Sequence, residues 1–140
     1  MALPIPEAGL VVSYAFLWSE EHAAGFIEGR KDRPCVVVLA VRAADGGTVV
    51  TVAPVTHARP AHDAAAIELP IATKLRLGLD DARSWVVLGE VNEFVWPGPD
   101  LRPVPGAAGR FEYGFLPPGL FRQMRDRLLA LDPARVRRDE

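Results

Sequence analysis

Short apolar runs separated by turn-forming residues recur along the chain, the pattern of a small all-β barrel or sandwich. The first is "GLVVSYAFLW", residues 9 to 18. The second, "CVVVLAV", carries no polar residue from Val36 to Val41 and reads as a buried strand. It is closed by "AADGG", where Asp45, Gly46 and Gly47 mark a hairpin turn. The third, "TVVTVAPV" at 48 to 55, is rich in β-branched residues, which favour extended backbone. "AIEL" at 66–69, "SWVVLGEVNEF" at 84–94 and "GRFEYGFL" at 109–116 are predicted as the remaining strands.

The period changes near the end of the chain. In "PPGLFRQMRDRLLAL", Leu120, Phe121, Met124, Leu128 and Leu131 share one helical face, and Arg122, Arg125, Asp126 and Arg127 cover the other. Pro118 can open this helix and Pro133 ends it. "IATKLRLGL", residues 71 to 79, predicts a shorter helix or turn. The polar tail, 132–140, is expected to fray. "WPGPDLRPVPGAAG", residues 96 to 109, is a Pro/Gly-rich loop within one domain, 1–140, whose core spans about 8–131. The fold class expected is mainly β, a small β-barrel with a C-terminal α-helix.

With 49% hydrophobic and 24% charged residues, a chain of 140 can bury a real core as a single domain. No apolar stretch approaches the roughly 20 residues that span a bilayer. The opening "MALPIPEAGL" has no basic region and does not read as a signal peptide. Cys35 is the single cysteine, which leaves no internal disulfide and fits a reducing cytosol. Sixteen basic residues against 18 acidic ones give a net charge of −2, which argues against a broad basic coat for nucleic acid. Fourteen of the 16 cations are Arg, whose planar fork suits bidentate contact with an anion.

His22, His57, His62 and Cys35 show no metal-ligand spacing, and no serine-hydrolase or P-loop motif occurs. What stands out are two strand boundaries. Arg30, Lys31, Asp32 and Arg33 crowd ahead of the second strand, and Thr56 and His57 follow the third. A tight turn joins these strands, so they pair antiparallel and the start of one lies beside the end of the other. Pairing about Gly46 and Gly47 sets Arg33 opposite Thr56 or Arg59. Such a rim fits cleavage of RNA by its own 2′-hydroxyl, which needs a base, an acid and a cation against phosphorane charge. Arg33 can supply the cation, Thr56 a hydrogen bond to phosphate, and His57 or His22 the proton transfer. No metal or other cofactor is called for. Ordinary readings stand beside these: Arg33 as a surface cation paired with Asp32, Thr56 as a turn residue, the histidines as exposed loop residues.

Taken in order, "GLVVSYAFLW", "KDRPCVVVLAV", "VVTVAPVTH", "WVVLGEVNEF" and the amphipathic helix resemble the PemK/MazF family of toxin endoribonucleases. In that family a Gly-x-Val/Ile-Val motif begins the first strand, an Arg-Pro dipeptide opens the second, and a Pro-Val/Ile-Thr-Ser motif closes the third. The resemblance covers roughly residues 8 to 131. It implies an SH3-like β-barrel, homodimeric and cytoplasmic, that cleaves single-stranded RNA as the toxin of a type II pair and is bound by an antitoxin protein. The family's catalytic arginine maps onto Arg33 and its threonine onto Thr56. His22 falls in the loop that closes over RNA, and Lys31 and Arg59 flank the same rim as further substrate contacts. His57 stands where the family has Ser, and the loop before Arg33 carries Glu20, Glu21 and Glu28. The rival reading is a catalytically silent barrel that binds a peptide or nucleic acid.

Overall fold

The computed structural model describes residues 3–138. The chain runs through β1 (Leu10–Tyr14), α1 (Ser19–Ala23), β2 (Arg33–Arg42) and β3 (Thr48–Thr56), then a 3₁₀ turn at Asp63–Ala65. It continues as β4 (Ala66–Glu68), α2 (Ile71–Leu77), β5 (Trp85–Val87), β6 (Glu90–Val95), β7 (Glu112–Phe115), α3 (Pro118–Leu131) and β8 (Ala134–Arg137). The fold is mainly β with a C-terminal helix, as the sequence pattern predicts.

The strands form one sheet in the order β4-β5-β3-β2-β1-β7, with β6 also on β3 and β8 on β6. All pairings are antiparallel except β6 with β8. The ladder does not close: among the described residues β4, β7 and β8 each pair with one neighbour only. The sheet is therefore open, where the strand pattern led to a closed barrel. β3 is its hub. One edge lies along β2, while the other takes β6 at Val49–Val52 and β5 at Val55–Thr56. The single strand predicted over 84–94 is thus two. The break falls at Leu88 and Gly89, just past the last β4–β5 pair, where the N–H of Leu88 still bonds the carbonyl of Ala65 at 2.7 Å.

The central strands are buried on both faces, which explains their unbroken apolar runs. Val11, Val36, Val38, Ala53 and Val55 face one cluster with Leu77, Leu88, Val91 and Met124. The alternate residues Val12, Tyr14, Cys35, Val37, Val50 and Val52 face a second cluster with Phe16 and Phe94. Period-2 alternation of the backbone sends neighbours to opposite faces, so both must be apolar. The burial of β2 stops at Val38; Leu39 and Val41 are exposed, although the run read as buried throughout. In α3, Met124 is fully buried, and Leu120, Phe121, Leu128 and Leu131 pack on the first cluster.

In the tail expected to fray, residues 132–138 are ordered, and 139–140 lie outside the described residues. Val136 is buried, and Glu90–Glu93 pair with Ala134–Arg137. The buried Arg138 donates to the carbonyl of Ala15 and to Asn92 Oδ1, both at 3.0 Å, and pairs with Asp100 at 3.0 Å. Asn92 in turn accepts from the N–H of Leu17 (2.9 Å) and donates to its carbonyl (2.7 Å). This buried polar network ties the C-terminus to the segment after β1. Among the described residues no helix is long and apolar enough to cross a membrane.

Candidate functional site

Arg33 opens β2 beside Tyr14 of β1, and Pro34 after it favours extended backbone at this position. The β2–β3 ladder reaches Cys35 opposite Pro54, with a register shift between Val37 and Leu39. One further two-residue step brings Arg33 level with Thr56, not Arg59. Both strand ends open into a cavity of about 110 Å³, whose lining includes Lys31, Arg33, Thr56, His57, Lys74, Asp80 and Ser84.

The Arg33 guanidinium is half-buried over the Trp18 ring, 5.1 Å from its centroid. Nη1 makes one long hydrogen bond to the carbonyl of Val55 (3.4 Å), while Nε is sealed from solvent with no acceptor among the described residues. Among the described residues Arg33 forms no salt bridge; Asp32 faces Arg102 at 3.7 Å instead. Burial pushes its pKa down, with Cys35 and Glu21 opposing, but a guanidinium remains charged at neutral pH. A buried N–H without a partner costs on the order of 1–3 kcal/mol, which an anionic oxygen would relieve.

The Thr56 hydroxyl oxygen accepts the N–H of Ala58 at 3.2 Å, a local turn bond that leaves the hydroxyl hydrogen able to donate. His57 Nε2 lies 2.8 Å from Asp80 Oδ2. The other carboxylate oxygen, Oδ1, accepts from Lys74 Nζ at 2.6 Å and from the N–H of Ala82 at 3.2 Å. Lys74 is only 1% exposed. Its three N–H donors are engaged by Asp80, the Ala82 carbonyl and Ser84 Oγ. It thus lines the cavity as a structural cation with no donor left for a ligand. The hydrogen bond from Lys74 is the main cause holding the Asp80 carboxyl below the usual carboxylate range, and His57 adds to it. Gly78, with φ +72°, caps α2 in the left-handed region and turns the chain toward Asp80.

Arg33, Thr56, His57 and Lys31 are therefore brought together. His22 and Arg59 are not. His22 sits exposed on α1 and does not line the cavity. Arg59 lines a separate depression with Glu68, Trp85 and Arg127. His62 is exposed, and Cys35 is fully buried with its thiol pKa raised by that burial. In the loop before Arg33, Glu21 accepts the N–H of Trp18 (3.1 Å) and pairs with Arg30 (3.2 Å), so it meets a cation within its own loop. A Cβ on Gly29 would overlap the carbonyl oxygen of Phe16, so only glycine lets this loop lie against the end of the first apolar run.

The sequence reading missed Lys74, Asp80 and Ser84. One signal was available: Lys74 falls between Thr73 and Leu77 on the inward face of α2, where a charge needs a partner.

No protein-family profile matches the chain, and no curated protein resembles it at a significant level.

Proposed function

We propose that the chain is an SH3-like relative of the PemK/MazF toxins, an endoribonuclease that cuts single-stranded RNA in the cytoplasm without a metal cofactor. One observation carries this reading. The Arg33 guanidinium shares a cavity with Thr56 and His57 and, among the described residues, has no carboxylate partner and keeps a buried Nε–H without an acceptor. A cation so placed suits the charge that builds on a phosphorane.

In this mechanism the 2′-oxygen of the RNA bonds to phosphorus and the bond from phosphorus to O5′ breaks. The products are a 2′,3′-cyclic phosphate and a 5′-hydroxyl. His57 accepts the 2′-hydroxyl proton, and the leaving O5′ is protonated from solvent. Thr56 donates to a non-bridging oxygen, Arg33 offsets its charge, and Lys31 meets a flanking phosphate. The kinship draws support from the Arg33-Pro34 and Pro54–His57 motifs at one rim, and from a small β1–β2–β3 meander whose third strand serves two further strands. In the same reading the active form is a homodimer, held silent by an antitoxin protein.

The net charge of −2 favours a second reading, a silent module that binds peptide or nucleic acid at the same rim. The test is the chemistry of product ends. Fragments ending in 2′,3′-cyclic phosphate, and none from RNA bearing 2′-deoxy sugars throughout, support the nuclease. Cleavage of the deoxy substrate contradicts this mechanism, and binding without cleavage selects the module.

A further inference from the structure

We propose that Asp80, anchored by the buried Lys74 ammonium, is a positioning residue that holds His57 with its proton on Nε2 and leaves Nδ1 as the nitrogen that takes a proton from substrate. The proposal rests on the nuclease reading only for the identity of that proton, the 2′-hydroxyl hydrogen.

An ammonium that is 1% exposed must be compensated, and Lys74 is, by three acceptors set around Nζ. The segment from Gly78 to Ser84 wraps this nitrogen and places Asp80 with Oδ1 on Lys74 and on the N–H of Ala82. Oδ2 then points to His57 Nε2 at 2.8 Å. With Lys74 bonded to it, the carboxyl is ionised at neutral pH and has only acceptors to offer. The hydrogen between Asp80 and His57 therefore belongs to the imidazole, on Nε2. In the neutral ring the other nitrogen is then an unprotonated acceptor. The remaining polar groups lining this cavity are Lys31, Asp32, Arg33, Thr56 and Ser84, and the one further carboxylate among them, Asp32, faces Arg102 at 3.7 Å.

Asp80→Asn separates position from tautomer. Its Oδ1 keeps the Lys74 and Ala82 donors, so the side-chain NH₂ faces His57. An NH₂ only donates, so Nε2 must become the acceptor and the ring proton moves to Nδ1. Asp80 is half-exposed and the amide Oδ1 remains an acceptor for Lys74, and the amide spectrum of the variant verifies that the fold is kept.

The experiment uses the full chain labelled with ¹⁵N-histidine, at about pH 8 where an ordinary imidazole is neutral. Long-range ¹H–¹⁵N spectra of wild type should show His57 protonated on Nε2, and those of Asp80→Asn on Nδ1. Wild type protonated on Nδ1, or no change in the variant, overturns the proposal. In parallel, Asp80→Asn should cut RNA about 10²- to 10⁴-fold more slowly while binding a 2′-deoxy RNA analogue as well as wild type. Full cleavage by a variant whose tautomer has reversed also overturns it. If wild type cuts no RNA, the nuclease reading falls, and the spectra alone still decide how Asp80 sets His57.

Discussion

The guanidinium carbon of Arg33 lies 5.1 Å from the centre of the Trp18 ring. The indole that ends the first apolar run steadies the cation that opens β2. Trp18 itself is braced edge-on by Phe16 at 5.2 Å. A cation–π contact of this kind is worth about 0.5–2 kcal/mol. Trp18→Ala should therefore weaken binding of a 2′-deoxy RNA analogue by about 2- to 30-fold, measured by fluorescence anisotropy, and Trp18→Phe should retain most of the affinity. Arg33→Lys should not restore cleavage, because an ammonium lacks the planar fork. Unchanged affinity in Trp18→Ala would remove the indole from the site.

Arg138 and Asp100 form a nearly dry ion pair, with side chains 3% and 7% exposed. Arg138→Ala leaves the buried Asp100 carboxylate with only the more distant Arg102, at 4.0 Å, and should cost about 3 kcal/mol in urea unfolding. Replacing both residues with apolar ones of similar volume, Arg138→Met with Asp100→Leu, should recover most of that loss. Truncation after Asp132 should destabilise at least as much, since it also removes β8. A truncated protein with an unaltered midpoint would show that β8 contributes nothing.

Asp80 gives the fold an acid-sensitive contact. Its folded pKa lies below the ordinary value, so its contribution is fully present above about pH 4 and is lost as pH falls through the lower folded value. The effect is small because the carboxylate is half-exposed and screened by water. The difference in stability between wild type and Asp80→Asn should shrink steadily below pH 4, measured by urea midpoints across that range. A difference that grows on acidification contradicts the assignment.

Cys35 is fully buried, and burial raises its thiol pKa. The native protein should react with a thiol-specific disulfide reagent far more slowly than protein in denaturant, since the thiolate is the reactive form. Equal rates would mean that the β2 strand opens readily.

Much of the fold was legible because it rests on local signals. The Asp45–Gly47 turn announced the β2–β3 hairpin, and the spacing of Leu120, Phe121, Met124 and Leu128 announced α3. Hairpin register then brought Arg33 close to Thr56 without any tertiary knowledge, although the turn had to pair Arg42 with Thr48, which excludes Arg59, and the shift between Val37 and Leu39 then moved the partner from His57 to Thr56. The rest depended on contacts distant in sequence. β8 looks polar because its neighbour is a strand edge and a buried network, with Arg138 reaching Ala15. The division of 84–94 into β5 and β6 follows from β3, which gives each a different stretch of the same edge. Lys74 looked like one more solvated cation until the turn after Gly78 brought Asp80 and Ser84 around it. The histidines could not be ranked, since the carboxylate that reaches His57 comes from the distant turn after α2.

The most direct test of the central claim is a cleavage assay. Purified wild type and Arg33→Ala are incubated with a long unstructured RNA in the presence of EDTA, and the fragments are resolved on a denaturing gel. Discrete fragments from wild type, with intact RNA from Arg33→Ala, are the predicted result. Cleavage by Arg33→Ala at the wild-type rate, or intact RNA in both lanes, would contradict an endoribonuclease centred on this arginine.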